Sequence, residues 1–279
     1  MTGIAREAFA RRFLMCPPSY FAVEYSINPW MDPHRPVDRA LAEGQWEALR
    51  ATLTGLGHRV DLVEPVPGLP DMVFAANGAT VIGDRALIAS FRHTQRAPEA
   101  AAYEKWFRDR GFAQVPGAAH MNEGQGDHLA LAGLILAGTG FRTQPASLQE
   151  TETYFGRPVV ALELVDPRLY HLDTALAVLD DEQIMYWPGG FSAHSRHRLA
   201  TLFPSAVQVQ ERDAQLLALN AVSDGRHVLL PVAATELAER LTGLGFEPVG
   251  VDMSEYAKAG GGPKCCALEL LPGTPAPPG

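Results

Sequence analysis

A cysteine pair behind a run of glycines, Gly260-Gly261-Gly262-Pro263-Lys264-Cys265-Cys266, offers a thiol at the mouth of a short apolar stretch. A thiol so placed attacks an electrophilic carbon once it ionises. It also serves as a small packed hydrophobe, which is how free cysteine often behaves. Acid–base partners elsewhere in the chain separate the two readings. His171-Leu172-Asp173 sets an imidazole and a carboxylate two residues apart, on the same side of the chain if the segment is extended. Glu123-Gly124-Gln125-Gly126-Asp127 adds two carboxylates on a glycine-rich turn, where the backbone can approach a ligand closely. Asp71, Asn77, Arg96 and Arg142 likewise stand at the ends of apolar runs. Thiol, imidazole and carboxylate together make a nucleophile, an acid–base group and its orienter. Further carboxylates around a thiol suit a planar cation, because a guanidinium pairs with them through a fork of N–H donors. The arginines suit an acid at the other end of the same molecule. The substrate read from this set carries a guanidinium and a carboxylate, as arginine does.

Other chemistries fit less well. The Gly-x-Gly of residues 124–126 lacks the third glycine and the helix of a dinucleotide site, and no phosphate loop occurs. No His-x-x-x-His or Cys-x-x-Cys pair is present, and His194 and His197 lie three apart in a charged stretch, so no metal and no cofactor is expected. A formal net charge of −9 leaves no basic surplus for nucleic acid or an anionic membrane. The longest apolar stretch, 129–136, is interrupted by Gly133 and falls short of the roughly 20 residues of a membrane helix. Three cysteines make no disulfide framework, and the first residues carry no apolar signal-peptide run, so a cytoplasmic setting is expected. The expected partners are a small molecule and, beyond that, a second copy of the chain as a homodimer.

The elements that must position these residues recur. Two short apolar strands, an amphipathic helix and a further strand return about every fifty residues. Strands at 73–76 and 86–90, a helix at 97–110 and a strand at 113–115 make one unit. The next has strands 129–131 and 134–137, helix 147–155 and strand 159–162. A third has 174–178, 183–186, 195–202 and 207–209, and a fourth 217–222, 227–231, 234–241 and 248–251. The fifth is split: 265–270 from the end of the chain joins 13–15, helix 37–53 and strand 59–63 from its start. An open α/β sheet would also alternate in this way. A last strand that pairs with the first instead closes a five-unit ring, in which loops from every unit meet near the axis. One domain, 1–270, is expected, followed by a disordered Pro- and Gly-rich tail, 271–279.

Met15-Cys16-Pro17-Pro18, Ile27-Asn28-Pro29-Trp30-Met31, Pro70-Asp71-Met72-Val73-Phe74, the Glu123–Asp127 run, His171-Leu172-Asp173-Thr174 and Cys265-Cys266 occur in that order. In that order they resemble the guanidino-group-modifying enzymes of the pentein fold, across nearly the whole chain. The resemblance implies an α/β five-bladed propeller of pseudo-fivefold ββαβ repeats. It implies Cys265 as nucleophile, His171 as acid–base and Glu123 as its carboxylate partner. It further implies Asp71 and Asp173 on the guanidinium, Arg96 and Arg142 near the amino-acid end, and Asn28 in a substrate-binding loop, with Asn77 and Asp127 also at the site. The activity implied is a dimethylargininase-like, citrulline-forming hydrolysis of arginine or Nω-methylated arginine through a Cys S-alkylthiouronium. Two features depart from the dimethylargininase pattern: Ala76-Asn77 stands where an acidic pair is usual, and Asp173 where a lysine is usual. Asp173 is more like the deiminases and amidinotransferases, while Asn77 and the 27–31 run most resemble the arginine dihydrolases, which release ornithine, ammonia and CO₂; Asn77 and Asp173 favour that alternative. An amidinotransferase or a non-catalytic arginine-binding protein is less favoured.

Overall fold

The computed structural model describes residues 6–131 and 133–272. Strand β1 (Arg12–Met15) leads to helix α1 (Arg39–Gly55) and strand β2 (Arg59–Leu62). Asp38 starts α1 by accepting the Leu41 N–H, and Ala42, Trp46, Leu49 and Leu53 recur along one buried face of it. Next come β3 (Ala79–Ile82), β4 (Arg85–Ile88) and α2 (Glu99–Asp109), then β5 (His128–Leu131), β6 (Leu134–Thr139), α3 (Ala146–Phe155) and β7 (Val159–Glu163). The turn α4 (Leu172–Ala175) opens a further unit, continued by β8 (Leu176–Val178), β9 (Ile184–Tyr186), α5 (Ala193–Leu202) and β10 (Val207–Gln208). Turn α6 (Glu211–Gln215) precedes β11 (Val222–Ser223), β12 (His227–Pro231), α7 (Thr235–Gly243) and β13 (Glu247–Val251). Two short turns, α8 (Ser254–Ala257) and α9 (Pro263–Cys266), and strand β14 (Leu268–Glu269) end the described chain.

These strands form five small sheets among the described residues, ordered β14-β1-β2, β3-β4, β5-β6-β7, β8-β9-β10 and β11-β12-β13. The plan repeats. An antiparallel pair comes first, and a helix then crosses to a strand parallel to its second member, as in β5-β6 followed by β6-β7. In the β3-β4 sheet the parallel partner is reduced to two bridges, Arg85 to Gln114 and Ile88 to Gly117. The split unit is present as read: β14 pairs antiparallel with β1, Phe13 opposite Glu269 and Leu14 opposite Leu268, and β1 pairs parallel with β2. The ends of the chain are therefore tied through one sheet.

The entries to the units differ from the sequence reading. The expected strand 73–76 is a pair of 3₁₀ turns, Pro70–Val73 and Ala75–Gly78. The start of the expected strand 174–178 is the turn α4, that of 265–270 is the turn α9, and only the end of 217–222 is extended. His171-Leu172-Asp173 is thus not a strand: His171 is extended and Asp173 already lies in the turn. Single turns of three to five residues are too short to show a helical period, and a buried turn is as apolar as a buried strand. Of the expected tail, 273–279 falls outside the described residues, whereas Leu271 bridges in parallel to Ile82 and accepts the Gly83 N–H.

Candidate active site

The turns that open the units carry the chemistry. Asp71 and Asn77 come from the paired 3₁₀ turns, Glu123 and Asp127 flank the turn Gly124–Gly126, Asp173 lies in α4, and Cys265 in α9. With Arg96, Arg142 and His171 these side chains are no more than 4% exposed. Asp71, Asn77, Arg96, Arg142, Tyr170 and Cys265 line one narrow cavity together with Asn28. A larger cavity of about 540 Å³ lies near Gln125, Lys264 and Glu269, but Cys265 lines only the smaller one; His171, Glu123 and Asp173 line neither, Glu123 being joined to the smaller cavity through Arg142 and Asp173 through Cys265.

Cys265 sits between two groups. Its Sγ donates to Asp173 Oδ2 at 3.2 Å and accepts from Asn220 Nδ2 at 3.0 Å. Burial first, and the Asp173 carboxylate second, push this thiol well above its ordinary range. Asp173 is pushed up to about 7, again by burial, with Lys264 and the hydrogen bonds from Cys265 and Asn220 working against the rise. The thiol therefore rests with its proton on, while Asp173 titrates near neutral pH.

His171 and Glu123 form the second group. His171 Nε2 lies 2.7 Å from Glu123 Oε2, and Arg142 donates to the same oxygen at 2.8 Å. Burial opposes the charge on Glu123, but Arg142 and His171 outweigh it and hold the carboxyl well below its usual range. The imidazole thus has an ionised partner. Arg142 also donates to the Ile27 carbonyl at 2.9 Å and stacks over Tyr170. Arg96 donates to Glu99 from two nitrogens, to Asn77 Oδ1 at 2.8 Å and to the Asp71 carbonyl at 3.1 Å. Both arginines reach the cavity while bracing its acidic wall.

Three buried polar atoms have no hydrogen-bond partner here: Asp71 Oδ1, Asp173 Oδ1 and His171 Nδ1. Buried polar atoms are nearly always paired, so such orphans mark where a ligand's donors and acceptors belong. Two free carboxylate oxygens and a ring nitrogen match a guanidinium. Burial raises the Asp71 carboxyl, opposed by Arg96, while its other oxygen accepts from Tyr25 at 2.8 Å.

Asp127 and Asn28 are placed differently. Asp127 does not line the cavity; it accepts the Leu172 N–H at 3.1 Å and the Thr143 hydroxyl at 2.7 Å, and so holds the turn that follows His171. Asn28 accepts the Trp30 N–H and donates to the Ala259 carbonyl at 3.0 Å, tying the 27–31 loop to the glycine run. That run is buried. A Cβ on Gly261 would come within 2.2 Å of the Phe74 ring, and one on Gly262 within 2.9 Å of Asn220 Oδ1. The glycines let the backbone pass close to its neighbours. Sequence reasoning missed Asn220, Tyr25, Tyr170 and Glu99. Asn220 had a signal, since it is a polar residue at the entry to its unit, as Asp173 and Cys265 are to theirs.

Protein-family models give no match to this chain. It is 53% identical over 267 residues, 96% of its length, to an N(G),N(G)-dimethylarginine dimethylaminohydrolase of Mycobacterium tuberculosis, of which the match covers 88%. It is 35% identical over 93% of its length to the bifunctional arginine dihydrolase/ornithine cyclodeaminase ArgZ of Synechocystis, of which it spans 37%. The solved N-terminal domain of ArgZ, a Cys-to-Ser mutant bound to substrate, superimposes with a TM-score of 0.90 at 33% identity, covering 94% of this chain and 99% of that one.

Proposed function

Because the chain belongs to the family of dimethylarginine dimethylaminohydrolases and arginine dihydrolases, we propose that it is a cysteine-dependent hydrolase of guanidino C–N bonds, acting on L-arginine or an Nω-methylated arginine. One observation carries the reading: Asp71 and Cys265 line one narrow cavity, Asp173 lies against the Cys265 thiol, and Asp71 Oδ1, Asp173 Oδ1 and His171 Nδ1 are buried without partners. A guanidinium bound by both carboxylates brings a positive charge beside Sγ, which favours the thiolate that burial alone disfavours. The thiol proton passes to His171, and the thiolate adds to the guanidinium carbon. His171, held by Glu123, gives a proton to the nitrogen that leaves as ammonia or a methylamine, and a thiouronium remains on Sγ. Water then loses a proton to His171 and attacks the same carbon; the C–S bond breaks, releasing the ureido product and the thiolate. Arg96, Arg142 and Asn28 lie toward the amino-acid end of the substrate, and Asp127 acts through the turn after His171. The five sheets with tied ends support the closed five-bladed propeller. No described helix is long and apolar enough to cross a membrane, and all three cysteines are free, which accords with a cytoplasmic setting.

A second reading is a dihydrolase that hydrolyses the ureido product again to ornithine, ammonia and CO₂. Asn77 favours it. In place of a carboxylate, the cavity has a neutral amide there, whose Oδ1 accepts an Arg96 N–H and whose Nδ2 donates to the Glu123 carbonyl. Mass spectrometry of the products from arginine, monomethylarginine and asymmetric dimethylarginine, offered separately, decides. Citrulline with dimethylamine fits a dimethylargininase, and ornithine the second reading. Cys265→Ser is expected to lower turnover at least about 10³-fold; unchanged turnover in that variant overturns the nucleophile.

A further inference from the structure

We infer that Asn220 is the group that stabilises the Cys265 thiolate once substrate has taken Asp173 away from it. The inference rests on Cys265 as the nucleophile, and its evidence is geometric. Asn220 Nδ2 lies 3.0 Å from Sγ and 3.1 Å from the Asp173 carbonyl, while Oδ1 accepts the Cys265 N–H at 3.0 Å. The backbone fixes which way the amide points, because an N–H must meet Oδ1 and a carbonyl must meet the NH₂ group. The hydrogen aimed at sulfur is therefore not interchangeable with a lone pair.

The surroundings hold this amide in place. Asn220 is fully buried, and its carbonyl accepts the Lys264 N–H at 3.3 Å. Gly262 leaves just the space that Oδ1 occupies. Leu217, whose carbonyl accepts the Asn220 N–H, has φ of +54°, the only positive value at a non-glycine among the described residues. A large side chain held in that region stores strain, as functional sites often do.

In the resting site Sγ donates to Asp173. A guanidinium that takes both Asp173 oxygens removes that acceptor; the thiol proton passes to His171, and the sulfur then carries negative charge inside the protein. Asn220 is the neutral donor already at hydrogen-bonding distance, so it lowers the energy of the thiolate, and of the same thiolate when hydrolysis expels it, without competing for substrate. Asn220→Asp keeps size and shape but turns the donor into an acceptor.

The test compares parent, Asn220→Asp and Asn220→Ala by two readouts. One is the pH dependence of Cys265 alkylation by iodoacetamide, followed by intact mass. The other is the division of any kinetic loss between kcat and KM. The midpoint of alkylation is expected to move up by about one pH unit or more. With the substrate that the parent turns over, kcat is expected to fall about 100-fold while KM changes by less than about threefold. An unmoved alkylation midpoint in a variant that melts like the parent overturns the inference, as does a loss confined to KM. If these variants do not fold, Gly262→Ala, which displaces Oδ1, is expected to shift the midpoint in the same direction, and no shift there overturns the inference. Alkylation needs no substrate. A parent that turns over no guanidino compound yet shows the Asn220-dependent midpoint would therefore refute the proposed function and leave standing that Asn220 stabilises the Cys265 thiolate, without the displacement of Asp173 by a guanidinium.

Discussion

Asp173 holds a proton up to about pH 7 because its carboxyl is buried and the opposing charge of Lys264 only partly offsets that burial. The guanidinium must meet it ionised, so kcat/KM is expected to rise with pH through about 7, a limb that belongs to the free enzyme. Asp173→Asn should abolish that limb and lower kcat/KM about 100-fold, measured by initial rates between pH 5.5 and 8.5 (roughly the range bracketing this titration). The effect on stability has the opposite sign. A carboxyl whose folded pKa lies above its unfolded value is neutral in both states at low pH. As pH rises from about 4, the unfolded chain gains by ionising, and the fold loses stability until about pH 7. Asp173→Asn is therefore expected to match the parent in urea unfolding near pH 4 and to exceed it by about 1–3 kcal/mol near pH 8. Residue types announced this chemistry: Cys265, His171, Glu123, Asp71 and Asp173 were all legible as candidates. Which atoms lack partners was not legible, because a free Oδ1 on Asp71 depends on where Tyr25 lies, 46 positions away.

At the scale of elements, the first turn of each unit decides where a side chain ends. Asp127 illustrates this: its two oxygens bind the Leu172 N–H and the Thr143 hydroxyl, and so fix the turn on which Asp173 sits and beside which His171 projects. Asp127→Ala leaves both donors buried and unpaired, with an expected cost of about 2–4 kcal/mol, read by denaturant unfolding. Its kcat should fall with the loosened imidazole. Strands such as β6 and β12 were readable as short continuous apolar runs between turn residues, and helices such as α1 and α2 because a period of 3.6 persists long enough to be seen. The turns were not. Thr174 and Ala175 read as strand because their apolar setting is that of a strand, and only packing against β5, β6 and the Gly124–Gly126 turn makes them helical.

Across the whole molecule, the last strand is held from two sides. β1 pairs with one edge of β14, and the Gln125 side chain meets the other, donating to the Glu269 carbonyl at 2.6 Å and accepting its N–H at 2.9 Å. Gln125 also accepts from Lys264 Nζ at 2.9 Å, next to the nucleophile. Gln125→Ala is expected to destabilise the fold by about 2–4 kcal/mol and to lower activity, and a thermal midpoint equal to that of the parent would refute this role. The inventory is written in the chain itself: a thiol, an imidazole, carboxylates and arginines at the ends of apolar runs, in a unit that recurs with its fifth copy split between the termini. Those features are local, and composition and periodicity record them. Folding brings Cys265 to Asn220 and Asp173, 45 and 92 positions away, turns Asp127 to the support of a turn instead of the cavity, and packs the glycine run. Contacts between the turns of different units depend on how the sheets are set against one another, and no single segment of chain carries that information.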